Sequence, residues 1–284
     1  MSTPRSLDLP KGVRPTRLPT PGGDLAGLIA PPSRERRKTP VLLVPGFTGS
    51  KEDFLPIFEP IAAEGHPVLA IDQRGQFESP GGEDPSAYDI KALADDVLAV
   101  AAQLGPPVHL VGHSFGGLVA RAAALADPSS VRSLVLLGSG PAAIPHPAAS
   151  NLGLMVEALP SLPLESIWTI KRQMELGSRP GPPPEIEEFL RRRFLANHPL
   201  CLQRMSEQLL SETDRVAELA QLELPMLVLF GTADDAWPPA EQRRMAERLG
   251  ARVAEVRGAG HSPVVDDPAQ TSEVLLEFWH AGGR

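Results

Sequence analysis

Short, continuous apolar runs alternate with stretches of helical periodicity along most of the chain. Such runs are typical of strands that are buried on both faces of a parallel sheet. The predicted strands are Val41–Val44, Val68–Ile71, Val108–Val111, Val131–Leu137, Met226–Phe230 and Arg252–Val256. The predicted helices between and after them are Phe54–Glu64, Ile90–Gln103, Leu118–Ala126, Glu241–Leu249 and Thr271–His280. This alternation predicts an α/β fold: a doubly wound, mostly parallel β-sheet with helices on both faces.

A long segment from about Pro141 to Leu222 breaks this alternation, because it has no strand pattern. Its candidate helices, separated by proline, are Ala148–Leu159, Leu164–Leu176, Glu185–Asn197 and Leu200–Leu210. Open parallel sheets bind ligands at the carboxyl ends of their strands, so an all-helical insertion suggests a cap over that edge. An ordinary surface excursion is the alternative, and the length of the segment disfavours it. We therefore predict a core domain of residues 1–140 and 223–284 and an all-helical cap of residues 141–222.

The N-terminal part of the chain is predicted to extend the sheet. Gly12–Ala30 is interpreted as edge strands around a hairpin turn at Gly22, Gly23 and Asp24. The charged run Arg34–Lys38 that follows is interpreted as a solvated loop.

Composition narrows the class of protein. Of the 284 residues, 42% are hydrophobic, which is enough for a sizeable core, and the net charge is −8. A negative charge argues against nucleic acid or an anionic membrane as the main partner. The single cysteine, Cys201, excludes an intrachain disulfide and is interpreted as a small apolar filler. With no apolar run long enough to cross a membrane and no signal-peptide pattern, we expect a cytoplasmic protein without an integral membrane segment.

The sequence lacks the common motifs for nucleotide or metal binding. The stretch Gly46–Lys51 is rich in glycine but lacks the Gly-Lys-Ser/Thr of a phosphate loop, so nucleotide binding is not expected. The sequence has no His-Glu-x-x-His motif and no Cys/His cluster. We therefore predict neither a cofactor nor a metal site.

The most informative motif is Gly112-His113-Ser114-Phe115-Gly116, between a predicted strand and a predicted helix. A Gly-x-Ser-x-Gly turn in this context is so sharp that the serine hydroxyl stands clear of the backbone. A Cβ at either glycine would collide with the neighbouring strand or helix. At the N-terminus of a helix, Ser114 would also lie where developing negative charge is favoured. The alternative is a Gly-rich turn with an incidental serine.

A serine nucleophile needs a base, and that base needs an orienting acid. His261 lies in the Gly-rich loop Gly258–Pro263, after the predicted last strand, from which it could reach over the sheet edge toward Ser114. The strand that ends at Phe230 is followed by two carboxylates, Asp234 and Asp235. The order Ser…Asp…His is the one that hydrolases of this architecture use.

With these motifs the chain resembles the α/β-hydrolase superfamily, from the Val41 strand to Trp279. The matching pieces are Pro45-Gly46-Phe47-Thr48, Asp72-Gln73-Arg74-Gly75, Gly112–Gly116, Gly231-x-x-Asp234-x-x-x-Pro238 and Gly260-His261. The resemblance implies the α/β-hydrolase fold, with Ser114 as nucleophile, His261 as base and Asp234 as acid. Asp234 is preferred over Asp235 because the family counts three residues from Gly231 and four to Pro238.

The oxyanion hole is expected to consist of two backbone N–H groups. One is that of Phe115, directly after the nucleophile, and the other, by resemblance, is that of Phe47. The chain departs from the family pattern at two places. Pro45 stands where most relatives have histidine, and Gln76-Phe77-Glu78 stands where relatives commonly have a further glycine. Phe77 would then either touch the acyl site or simply pack.

The predicted function is that of a serine hydrolase that cleaves a carboxylic ester, or a related acyl compound, through an acyl-enzyme on Ser114. The expected partner is a small-molecule acyl substrate. Apolar cap residues suggest that its acyl group is apolar, although they could equally pack on one another: Leu152, Leu154, Met155, Leu159, Leu162 and Ile167. The same triad could also serve thioester or carbon–carbon bond hydrolysis, acyl transfer or cofactor-free perhydrolysis. A hydrolase-like receptor that binds without turnover is a further alternative.

Overall fold

The computed structural model describes residues 2–32, 38–177 and 180–282. Within these ranges the chain forms an eight-stranded sheet in the order β1-β2-β4-β3-β5-β6-β7-β8. Strand β1 pairs antiparallel with β2, β2 pairs antiparallel with β4, and the remaining neighbours are parallel. The strands are β1 (Arg14–Thr20), β2 (Gly23–Ala30), β3 (Val41–Val44), β4 (Val68–Ile71), β5 (Val108–His113), β6 (Val131–Leu137), β7 (Met226–Gly231) and β8 (Arg252–Val256). The predicted doubly wound, mostly parallel sheet is confirmed.

The predicted N-terminal hairpin is present, with β1 as the edge strand of the sheet and β2 between β1 and β4. Its turn is at Pro21 and Gly22, whereas Gly23 and Asp24, which were predicted to be in the turn, belong to β2 and pair with β1. Of the charged run Arg34–Lys38, only Lys38 belongs to the described residues.

The helices cover both faces of the sheet. They are α1 (Leu55–Ala63), α2 (Ile90–Leu104), α3 (Phe115–Ala126), α4 (Ala148–Ala158), α5 (Leu164–Leu176), α6 (Pro184–Leu195), α7 (Pro199–Ser211), α8 (Val216–Leu219), α9 (Pro239–Leu249), α10 (Pro263–Asp266) and α11 (Pro268–His280). On one face α2, α3 and α9 bury residues such as Leu93, Leu118 and Met245 against the strands. On the other face α1 and α11 do so with residues such as Phe58 and Phe278. Burial on both faces is why the central strands read as unbroken apolar runs.

Residues 141–222, called the insertion below, lie between β6 and β7. In the part of this segment that the structure describes, the regular elements are the helices α4 to α8. Helices α5 and α6 share a small apolar cluster that includes Trp168, Phe189 and Phe194. Helix α7 also reaches the main core, where Cys201 and Met205 are buried. The insertion is thus packed on the core, and its assignment as a separate cap domain stays a prediction.

Buried charges hold the insertion to the loop after β3. Arg193 of α6 is fully buried, and its guanidinium donates to the Asp53 carboxylate at 2.6 Å and to the Ser2 carbonyl at 2.7 Å. Nearby, the Lys51 ammonium lies 2.8 Å from carboxylate oxygens of both Asp72 and Glu78. Each of these cations is paired. The pairing matters because a buried charge without a partner is strongly destabilising. The loops that follow β3 and β4 are therefore fixed where the sheet meets the insertion.

Candidate active site

The turn at Ser114 has the backbone that the Gly-x-Ser-x-Gly motif predicts. Ser114 has φ +55° and ψ −122°, a conformation that costs energy for a residue with a side chain. A Cβ on Gly112 would lie 2.3 Å from the carbonyl oxygen of Gly116, and a Cβ on Gly116 would lie 2.4 Å from that of Val44. Helix α3 begins at Phe115, earlier than the predicted Leu118, so Ser114 is its N-cap residue. The hydroxyl therefore stands at a helix N-terminus.

The structure brings Ser114, His261 and Asp234 together at the carboxyl edge of the sheet. The Ser114 Oγ lies 2.9 Å from Nε2 of His261, and Nδ1 of His261 lies 2.9 Å from Oδ1 of Asp234. Since a carboxylate can only accept, Nδ1 carries the ring hydrogen and Nε2 is free to accept the hydroxyl proton. The three elements involved are the β5–α3 turn, the β7–α9 loop and the loop after β8. This is the geometry of a nucleophile, a base and an orienting acid.

Asp234, and not Asp235, makes the contact with the imidazole. The Asp234 side chain is fully buried, while Asp235 is exposed. Oδ1 of Asp234 also accepts from the N–H of Ala236, and Oδ2 accepts from the Gln242 amide at 2.9 Å. Burial opposes ionisation of Asp234, but the bond from His261, the positive charge of that ring when it is protonated, and these two donors outweigh burial and lower the pKa of Asp234. The carboxylate is therefore ionised where the imidazole needs it.

Gln242 was not predicted from the sequence. It lies on α9, is fully buried, and donates both to Asp234 and to the carbonyl of Trp237. In the sequence it is one polar residue on an amphipathic helix, with no signal that separates it from its neighbours. Only the fold brings it to the carboxylate.

His113, the second residue of the Gly112–Gly116 motif, holds the loop that carries the base. Its Nε2 donates to the backbone carbonyl of His261 at 2.8 Å. Burial, reinforced by the nearby His261, lowers the pKa of His113 from 6.5 to about 4. The ring is thus neutral at ordinary pH and serves as a hydrogen-bond donor to the loop that carries His261.

The lowered pKa of His113 predicts that the folded protein is less stable in acid. Between pH 6.5 and 4.5 the unfolded chain binds a proton at residue 113 that the folded protein does not, so stability falls as pH falls. We expect this group to contribute about 2 kcal/mol to the loss of unfolding free energy over that window. In urea denaturation at pH 6.5 and pH 4.5, His113→Gln should lose less unfolding free energy than the wild type, by about 2 kcal/mol. An equal loss in the variant and the wild type would contradict the assignment.

The two backbone N–H groups predicted to bind an oxyanion belong to two segments that meet at Ser114, namely the start of α3 and the loop after β3. Phe115 is the first residue of α3, so its N–H has no acceptor within the helix. Phe47 follows β3, and a Cβ on Gly46 just before it would lie 2.8 Å from the Cβ of Ser114. The segment that carries Phe47 therefore passes directly beside the serine.

A cavity of about 1100 Å³ opens in front of Ser114 and His261, between the sheet edge and the insertion. Helices α4 and α5 supply its apolar wall, which consists of Leu152, Leu154, Met155, Ile167, Ile170 and Met174. Four of the six residues that suggested an apolar acyl group are in this wall. Of the other two, Leu159 is buried in the insertion's own cluster and Leu162 is exposed.

Three aromatic residues, Phe77, Trp168 and His146, are not among those that line this cavity. Phe77 packs edge-on against Phe189 of α6, and Trp168 is buried in the same cluster. His146 is exposed, and its Nδ1 lies 3.1 Å from the hydroxyl of Ser150. For Phe77, the structure thus selects packing over contact with the acyl site.

The described residues show no sign of a metal site or of a membrane-spanning helix. They contain no group of three or more His, Cys, Asp or Glu side chains arranged to bind a metal ion. In the same ranges, no helix combines the length and apolar character that a membrane span requires.

The chain is similar in sequence and in structure to known hydrolases. The family model described as the alpha/beta hydrolase family matches residues 41–274. A pimeloyl-[acyl-carrier protein] methyl ester esterase of Neisseria meningitidis serogroup C is 32% identical over 86% of this chain and 97% of that protein. Rhodomycin D methylesterase of Streptomyces sp. strain C5 is 28% identical, over 78% and 85%. A hydrolase from Pseudomonas aeruginosa PA01 has a similar structure, with a TM-score of 0.76, 24% identity and coverage of 94% and 98%.

Proposed function

Because the chain belongs to the alpha/beta hydrolase family, we propose that it cleaves a carboxylic ester through an acyl-enzyme on Ser114. The observation that carries the proposal is the continuous path of hydrogen bonds from Ser114 through His261 to Asp234. A serine hydroxyl at neutral pH becomes a nucleophile when a base removes its proton during attack. The names of the two curated relatives, both methyl esterases, support the same reaction class.

In the proposed mechanism, Nε2 of His261 takes the Ser114 proton while Oγ attacks the carbonyl carbon of the ester. The N–H groups of Phe47 and Phe115 bind the oxygen of the tetrahedral intermediate. Protonated His261 then gives its proton to the leaving alcohol, and the acyl group stays on Ser114. In the second half of the cycle His261 takes a proton from water as the water oxygen attacks the acyl carbon, and it returns that proton to the Ser114 Oγ when the bond between acyl carbon and Oγ breaks and the acid leaves. Throughout, the Asp234 carboxylate orients the imidazole and stabilises its charged form.

We further propose that residues 141–222 act as a cap that binds an apolar part of the substrate. The wall formed by α4 and α5 offers aliphatic side chains such as Met155 and Ile167, and burial of each substrate methylene there is favourable. A small-molecule ester with an apolar acyl group fits this surface. The methyl esters in the names of the relatives support a small alkoxy leaving group.

Hydrolysis of p-nitrophenyl esters of graded acyl length tests the proposal. We expect kcat/KM to rise by up to about fourfold for each added methylene that the cavity buries, and then to fall once the cavity is filled. Met155→Trp should shift the best substrate to a shorter chain, because Met155 lines the cavity. Leu162→Trp, at an exposed position, is the matched control and should leave the preference unchanged.

A fluorophosphonate probe and CoA thioesters complete the test. An activated Ser114 should be labelled by the probe, since the labelling reaction uses the same nucleophile and oxyanion donors. A protein that binds ligand without turnover would stay unlabelled and would hydrolyse none of the esters. Turnover of thioesters without turnover of any oxygen ester would contradict the proposed substrate class.

A further inference from the structure

Two glutamine side chains hold the carbonyl groups of the segment that carries Phe47. The amide nitrogen of Gln73 donates to the carbonyl oxygen of Pro45 at 2.9 Å, and that of Gln76 donates to the carbonyl oxygen of Gly46, also at 2.9 Å. Both glutamines are buried, Gln76 completely. The N–H of Gly49 makes a second, longer bond to the Gly46 oxygen, at 3.1 Å. Buried polar side chains thus hold the backbone before Phe47 through its carbonyl groups.

The orientation of the Gln76 amide is itself determined. Its oxygen accepts from the backbone N–H of Gln73 at 3.3 Å, so the other end of the amide, the nitrogen, faces Gly46. That nitrogen also lies 3.8 Å from the sulfur of Met205 on α7. Since the side chain is shielded from water, a lost hydrogen bond here is not replaced by one to solvent. The amide can therefore act as a rigid anchor.

The peptide bond between Gly46 and Phe47 transmits this anchoring to the oxyanion site. It is trans, because the cis peptide bonds of the described residues are at Pro106-Pro107 and His146-Pro147. In a planar trans peptide the C=O and the following N–H point in opposite directions. The Gly46 carbonyl points to buried Gln76, while Gly46, Phe47 and Ser114 line the cavity. The Phe47 N–H is therefore directed away from Gln76 and toward the cavity.

We propose that Gln76 is a positioning residue that sets the direction of the Phe47 N–H for oxyanion binding. This inference rests on the proposed function, in which that N–H binds the tetrahedral intermediate. Oxyanion donors act mainly in the transition state, so a misdirected N–H lowers kcat more than it changes KM.

Gln73 provides a matched control for this role. It makes a bond of the same kind and length, but to the carbonyl of Pro45. That carbonyl belongs to the Pro45–Gly46 peptide, whose N–H is that of Gly46 and not that of Phe47. Loss of the Gln73 amide removes an equivalent buried hydrogen bond and leaves the plane of the next peptide anchored.

The test compares Gln76→Leu and Gln76→Met with Gln73→Leu on a p-nitrophenyl ester. We expect both Gln76 variants to lose about 10- to 100-fold in kcat with KM within about twofold, because the N–H of Gly49 still holds the Gly46 carbonyl in part. Gln73→Leu should lose less than about threefold in kcat. Affinity for a trifluoromethyl ketone, which forms an oxyanion on the serine, should fall in the Gln76 variants by the same factor as kcat.

Three results would overturn the inference. They are equal losses of kcat in the Gln76 and Gln73 variants, a loss expressed only in KM, and unchanged affinity for the ketone. Two Gln76 variants are used so that one that fails to fold, as judged by near-UV circular dichroism, leaves the other informative. Failure of the proposed function is distinguishable, because the wild-type protein would then show no Ser114-dependent hydrolysis at all.

Discussion

Replacing Ser114 with alanine is expected to lower kcat on an activated ester by about 10⁴-fold or more, with the fold intact. The members of a triad act as a unit, so His261 and Asp234 contribute little without the nucleophile, and the activity that remains is the part supplied by substrate binding and the oxyanion donors. The fold should survive because the change removes one oxygen atom, whose recorded bond to another side chain is that to His261. Alanine has no greater steric conflict than serine with the positive φ at this turn.

The measurement is the steady-state rate of p-nitrophenyl ester hydrolysis by purified variants, with urea denaturation as the check on folding. Ser272→Ala is the matched control. Ser272 is also buried, but its hydroxyl donates to the backbone carbonyl of Pro268 on α11, on the helical layer outside the cavity. Its kcat should stay within about threefold of the wild type. A Ser114→Ala protein with unchanged turnover would reject Ser114 as the nucleophile.

The second large effect is expected from Asp234→Asn, which should lower kcat by about 10³- to 10⁴-fold. The neutral amide cannot stabilise the imidazolium that forms when His261 takes the serine proton. It also fits poorly, because both carboxylate oxygens face donors, namely His261 and Ala236 at Oδ1 and Gln242 at Oδ2. Whichever way the amide is turned, its NH₂ group meets a donor, so the hydrogen bonds that orient the ring are disturbed.

Asp235→Asn is the matched control for this substitution, since the two changes are chemically identical and one residue apart. Asp235 is exposed and lies at the cavity, but the imidazole of His261 bonds to Asp234, so the kcat of Asp235→Asn should stay within about threefold of the wild type. Both variants are compared by kcat on the same ester and by the rate of fluorophosphonate labelling. A larger loss of kcat in Asp235→Asn than in Asp234→Asn would show that Asp235, and not Asp234, is the acid that orients His261.

Much of the central fold follows from local pattern. The strands of the sheet interior were predictable because burial on both faces leaves a continuous apolar run such as Val41–Val44. The start of α3 was predicted too late, at Leu118, because the glycines at 116 and 117 weaken the helical pattern. The short helix α10, Pro263–Asp266, was not predicted, since four residues carry too little periodicity to be recognised.

The candidate site was predictable to the extent that its residue types occur in characteristic local contexts. Ser114 lies in a motif whose glycines have a steric reason, and His261 lies in a Gly-rich loop after the last strand. Gln242 and Gln76 have no such context, because the role of each depends on a hydrogen bond to another loop, that of Gln242 to Asp234 and that of Gln76 to the carbonyl of Gly46. The carbonyl of His261 that receives the His113 hydrogen bond has no sequence signal either.

Sequence periodicity by itself determined which segments form the strands of the central sheet and most of the helices beside it, and local motifs, together with the family resemblance they carry, nominated a hydroxyl, an imidazole and a carboxylate. Local patterns can do this because burial and backbone geometry act on neighbouring residues. Only the tertiary structure decided that Ser114 and His261, 147 positions apart, stand within hydrogen-bond distance. It also decided which helices of the insertion line the cavity and which amides hold the Pro45–Phe47 segment. Such contacts depend on how distant elements pack, and packing selects among side chains that look equivalent along the chain.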